Sequence, residues 1–222
     1  MGVYMPTGTL TRSGSERATL VRRTYALVFV SILLTMAGTA FGLSQPSVMM
    51  AVARHPIITM LCMFAPLILA LKARHAFPAN IALTLLFALV EGVAISPIIF
   101  VYGRTQPGLI GQAALLTGST FAVLTAYAWL SRRDFSAWGG FFTVGLWVLI
   151  ATSLLNLFFQ NATASLWLAG GTVLVFSGLL IYDTWRIRND FGPDDYVQAA
   201  VAIYLDLLNM FLAILRLLGR RD

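Results

Sequence analysis

SLWLAGGTVLVFSGLLIYDTWRIRNDFGPDDYVQAAVAIYLDLLNMFLAILRLL, residues 165–218, decides the fold of this chain. Two apolar runs, 165–187 and 197–218, flank a short polar stretch at about 189–196 that contains Asp190, Gly192, Pro193, Asp194 and Asp195. A bilayer hydrocarbon core about 30 Å thick takes roughly 20 apolar residues of α-helix, and both runs reach that length. Neither alternates apolar and polar at every second position, which excludes the strands of a membrane β-barrel. The stretch reads as two antiparallel transmembrane helices joined by a short loop.

Ahead of this hairpin lie five more apolar runs, at 24–43, 56–71, 79–101, 109–130 and 138–159. The sequence thus predicts an all-α, polytopic membrane protein of seven transmembrane helices, with one membrane domain over 24–222 behind a polar segment at 1–23. Composition agrees: 59% of the residues are hydrophobic, 11% are charged and the mean hydropathy is +0.82, more apolar surface than one soluble core could enclose. A net charge of +6 would raise nucleic acid as the partner of a soluble protein. Here the arginines sit in short segments between apolar runs, so they report topology and the partner is the lipid bilayer. The run 56–71 is the shortest, with Arg54 and Lys72 as snorkelling ends.

Loop charges set the orientation. Arg12, Arg17, Arg22 and Arg23 precede the first run, Lys72 and Arg74 follow the second, Arg132 and Arg133 the fourth, and Arg186 and Arg188 the sixth; the opposite side carries Arg54 and Arg104. The N-terminus is expected in the cytoplasm. Seven full spans then leave Arg216, Arg220 and Arg221 on the far side, against the same rule, but 22 mostly apolar residues at 197–218 suffice for a full crossing. No cleavable signal peptide is expected, because the first run is of full span length and lacks a cleavage site. The single cysteine, Cys62, forms no internal disulfide and reads as a small core residue. Gly38 and Gly42 form a small-residue packing step, and Gly139–Gly140 and Gly170–Gly171 are read as helix openings.

A charge at bilayer depth costs on the order of 2.5–3.5 kcal/mol on insertion scales, so a carboxyl there is a functional candidate. Glu91, Asp183 and Asp206 qualify. Asp183 lies near the end of the sixth run and Asp206 several residues into the seventh, so the hairpin brings them to adjoining depths. Two carboxyls in a low dielectric cannot both ionise cheaply; they would share one proton and titrate as a pair, a pH switch. The alternative is that each aspartate separately hydrogen-bonds a neighbour and only fixes packing. Glu91 is followed by Gly92 and, six residues on, by Pro97, which leaves the Val93 carbonyl without its helical donor. It reads either as a pore-lining carboxylate beside loosened backbone or as a packed acid. Asn209 is a further pore-lining candidate, though it and Asn156 fit interhelical hydrogen bonding as well.

An intramembrane enzyme is not expected. His55 and His75 flank the second run about 20 residues, hence about 30 Å, apart and cannot share one centre. A retinal pigment needs a buried lysine, and the sole lysine, Lys72, stands at a helix end.

The stretch AIYLDLLNMFLAILRLLG at 202–219 strongly resembles the closing helix of the Bax-inhibitor family, the transmembrane Bax inhibitor motif proteins. FSGLLIYDT at 176–184 is similar to that family's sixth helix, EGVAISP at 91–97 to its third, and RRDFSAWG at 132–139 to the loop after the fourth in bacterial members. The likeness runs through the chain in order from Thr24. It implies a seven-helix fold with the last helix central and, in bacterial members, a pH-sensitive calcium leak gated by two hydrogen-bonded aspartates. These match Asp183 and Asp206, which would also ligate calcium transiently. A basic partner of that pair at the end of the second helix would be Arg74, or else Lys72.

The expected function is therefore a calcium-permeable leak in a bacterial inner membrane, with calcium as permeant ion and no cofactor. Its rival is a non-conducting regulator that binds a membrane protease or another membrane protein, as some bacterial relatives and the death-suppressing eukaryotic ones do. Retention of both aspartates favours the conduit.

Overall fold

The computed structural model describes residues 14–73 and 76–219, and all regular structure among them is helical. Eight helices follow in order: α1 Gly14–Ser44, α2 Pro46–Arg54, α3 Pro56–Lys72, α4 Ala79–Thr105, α5 Leu109–Leu130, α6 Ser136–Phe159, α7 Ala162–Asn189 and α8 Tyr196–Leu218. Six are long and apolar enough to cross a bilayer, and α2 with α3 makes a seventh span if that pair, bent by 100°, is taken as one. The protein is integral to the membrane. The bent pair is where the sequence reading was too simple. Residues 46–54 form a separate short helix, because Pro46 and Pro56 each open a helix where a missing N–H costs nothing. At 17 residues α3 is about 26 Å long, a little less than the hydrocarbon core.

Other boundaries extend the apolar runs into polar flanks. The first helix begins at Gly14, ten residues ahead of the run at Thr24. Asn161 caps α7, its side chain accepting from the backbone N–H groups of Thr163 and Ala164, a local use for a residue type that favours this position. Gly139 and Gly171 do not open helices; they lie within α6 and α7, where Gly139 faces the Tyr182 ring and Gly171 the Leu149 side chain.

The most extensive helix pair is α1 with α4, followed by α7 with α8. Small residues allow the first. A Cβ on Gly38 would meet the Leu89 carbonyl, one on Gly42 the Ser96 hydroxyl, and one on Gly92 the Thr35 carbonyl. The packing step read from Gly38 and Gly42 is thus answered by Gly92 on the facing helix. At the centre lies α8, which packs against α1, α4, α5 and α7 and has the largest buried share of any span. Its two ends mark the two faces of the bundle. Tyr196 at its start meets Arg23 of α1, 5.6 Å from guanidinium to ring centroid. At its far end the Gly219 carbonyl accepts from the Gln106 amide, beyond α4, at 2.8 Å. The last helix therefore runs the full depth of the bundle. Cys62 is exposed on α3, not in the core: the bilayer accepts a small apolar residue as readily as the interior does.

Candidate functional site

The loop between α7 and α8 folds them into an antiparallel pair, and this hairpin sets the depth of its acids. Asp183 lies six residues before the end of α7 and Asp206 ten residues into α8, a depth difference of about 6 Å at 1.5 Å per residue. Both are buried, at 8% and 3% exposure, and the charge of Asp183 acts directly on Asp206. Of the sequence candidates, these two are brought together.

Their surroundings differ. Asp183 Oδ1 accepts from Arg186 Nη1 at 3.0 Å, one turn along the same helix. Ring faces hold the Arg186 guanidinium in turn, with centroids at 4.2 Å for Phe191 and 5.5 Å for Tyr182. Asp206 has no such cation among the described residues, and its Oδ2 is buried without a hydrogen-bond partner. Thr24 Oγ1 and Ser31 Oγ on α1 share that condition, while the Tyr25 hydroxyl of α1 lies beside the hydroxyls of Thr125 on α5 and Thr184 on α7. Buried polar atoms are nearly always paired. Asp206 Oδ2 is the one carboxylate oxygen among these atoms, and an unpartnered carboxylate oxygen can accept from water or bind a cation.

Glu91 belongs to a different cluster. It is buried at 7% exposure on α4 and lies within electrostatic reach of Tyr204. Tyr204 and Asp206 are two residues apart on α8, hence about 200° around the helix, so Glu91 approaches the face of α8 opposite the aspartate pair. Tyr204 and Thr35 hydroxyls bond at 2.7 Å, and Thr35 also donates toward Ser31 O and Ala88 O. The backbone expected to loosen at Pro97 stays helical, with Ser96 Oγ donating to the freed Val93 carbonyl at 2.7 Å. Asn209 donates to Leu205 O of its own helix at 2.8 Å instead of bridging helices.

Of the two basic partners expected for the acids, Lys72 is exposed at the end of α3 and forms no ion pair among the described residues, and Arg74 lies outside those residues. Among the described residues the cation paired with Asp183 is Arg186. Its signal was available in the i, i+3 spacing from Asp183, which lets a cation and an acid meet on one helix face. Next to it, Arg188 closes the end of α5, with Nη1 donating to the carbonyls of Ala128, Trp129 and Ser131 at 2.8–3.2 Å. No group of three or more His, Cys, Asp or Glu side chains able to hold a metal assembles among the described residues.

Residues 17–222 match the family described as inhibitor of apoptosis-promoting Bax1. Among named relatives, the Golgi anti-apoptotic protein of vaccinia virus is 36% identical over 205 residues, covering 91% of this chain and 85% of the relative. Protein lifeguard 4 of Mus musculus is 34% identical over the same coverage. An uncharacterized membrane protein of Vibrio cholerae is 32% identical across 97% of both chains.

Proposed function

Since the chain belongs to the Bax inhibitor family of membrane proteins, we propose that it is a pH-sensitive, calcium-permeable leak gated by Asp183 and Asp206. The observation that carries this reading is the buried pair itself: two interacting carboxyls at membrane depth, one guanidinium on Asp183, and one Asp206 oxygen unpartnered. Calcium takes six to eight oxygen ligands at about 2.3–2.6 Å. Two carboxyls and a few hydroxyls fall short of a resident cage and suit a transient station on a path. The proposed action is conduction, with no catalysis and no resident cofactor.

The sign of the pH response follows from charge. With one proton on the pair, a single net negative charge faces Arg186, and α7 and α8 stay in contact. When that proton leaves, two like charges share one cation in a low dielectric, the contact weakens and the path opens. Flux should therefore rise with pH. We assign the N-terminus to the cytoplasm from the arginine distribution between spans, and the protein to a bacterial inner membrane from its likeness to bacterial members of the family.

Calcium flux into liposomes between about pH 5 and 8 tests the reading, with the parent, Asp183→Asn, Asp206→Asn and the double variant. Each single variant should flatten the pH response and the double should add little, because a shared proton makes the two sites non-additive. A double variant that keeps the parent's profile would leave the aspartates as packing groups, with Glu91 next in line. The name of the viral relative, an anti-apoptotic protein, favours a second reading, a regulator that binds a membrane partner without conducting. Absence of flux at every pH from a folded, reconstituted chain would favour that reading.

A further inference from the structure

A cleft opens sideways between α1 and α5. These helices touch where the rings of Tyr25 and Phe121 meet edge to face, centroids 6.2 Å apart, and the cleft lies beyond that contact, toward the face that carries Gln106 and Gly219. Met36 and Ala40 of α1 and Ala114 and Gly118 of α5 stand exposed at its mouth, and Leu207 and Phe211 of α8 line its floor. It encloses about 480 Å³.

Every hydroxyl on its wall is already engaged. Tyr204 bonds Thr35 at 2.7 Å, Thr39 donates toward the carbonyls of Thr35 and Gly92 at 2.9 and 3.0 Å, and Thr117 donates to Ala113 O at 2.8 Å. Water enters a cavity only where polar groups can bind it, and apolar cavities stay dry. Its mouth opens between two membrane-spanning helices, where the surrounding solvent is hydrocarbon. We propose that this cleft is a binding site for one acyl chain of a bilayer phospholipid, seated against α8 between α1 and α5. A chain in the cleft contacts apolar walls on three sides, whereas one on the convex face of α6, with Phe141 and Trp147 exposed, has a wall on one side only.

The experiment reads no ion flux, so it stands or falls separately from the calcium leak. The full chain is reconstituted in phosphatidylcholine–phosphatidylglycerol vesicles containing a phosphatidylcholine with a diazirine near the end of one acyl chain. It is then photolysed and its adducts are mapped by peptide mass spectrometry. Leu207 and Phe211 should be labelled, although both are set back behind α1 and α5. Gly118 lines the cleft and has no neighbouring atom within 4 Å of the place its Cβ would take, so the side chain of Gly118→Phe can start there without a clash and fill the cleft. It should cut labelling of the α8 floor at least fivefold and leave labelling of Phe141 and Trp147 unchanged. If Gly118→Phe loses its thermal transition, Ala40→Leu closes the cleft from the other wall and the same fall is expected. A parent without floor adducts, a filled variant with undiminished floor adducts, or a floor labelled instead by a water-soluble diazirine would each overturn the site.

Discussion

Arg186 reaches Asp183 across one turn of α7 and is held from the other side by the Phe191 and Tyr182 rings. Arg186→Gln keeps the stem and removes the cation, which leaves a buried carboxyl with a weaker donor; loss of such a partner costs about 1–3 kcal/mol. Thermal unfolding in detergent should shift down accordingly. Because the pair then sheds its last proton against uncompensated repulsion, the midpoint of calcium flux should move to higher pH, on the order of one unit for each 1.4 kcal/mol. An unmoved midpoint would show that Arg186 is structural only. The acids were legible in the sequence because a carboxyl inside an apolar run stands out. Arg186 was not recognised, because an arginine at a helix end is first a topology signal, and its pairing role emerges only when Asp183 is known to be buried and to face that side of the helix.

The seam between α1 and α4 rests on backbone approaching backbone at Gly38 and Gly92. Leu at either position should force the helices apart and destabilise the protein by about 1–3 kcal/mol, the usual range for overpacking, as measured by thermal unfolding. Gly118→Ala, with nothing near its Cβ, should be close to neutral in the same assay. The tie between α7 and α5 is chemical: Arg188→Gln removes the donor shared by three carbonyls at the end of α5 and should cost roughly 1–3 kcal/mol. Most span boundaries could be read from the length of apolar runs, and 109–130 agrees to the residue. The helix Pro46–Arg54 escaped because nine residues make too short a run, and its direction depends on a bend of 100° that composition does not encode. Nor could pattern alone predict that Ser96 would heal the gap left by Pro97.

Across the whole molecule, the bond between Gln106 and Gly219 and the contact between Arg23 and Tyr196 put the ends of α8 at opposite faces of the bundle. On the proposed orientation, Thr105→Cys and Arg216→Cys on a Cys62→Ser background should react with an impermeant maleimide on intact cells. Asp134→Cys, in the exposed loop between α5 and α6, should react only after permeabilisation. The reverse pattern would invert the orientation, and protection of Arg216→Cys alone would mean that α8 does not cross. Placing the most buried helix after the helices that surround it has a consequence for biosynthesis. The helices around it enter the membrane before their common centre exists, so Thr35, Asp183 and Glu91 must wait against lipid or against one another until α8 leaves the ribosome. A nascent chain that stalls within the polar loop ahead of Tyr196 exposes these groups at bilayer depth, where polar and ionisable side chains are costly. That exposure is the kind of signal by which membrane quality control can tell a chain still lacking α8 from one that has it.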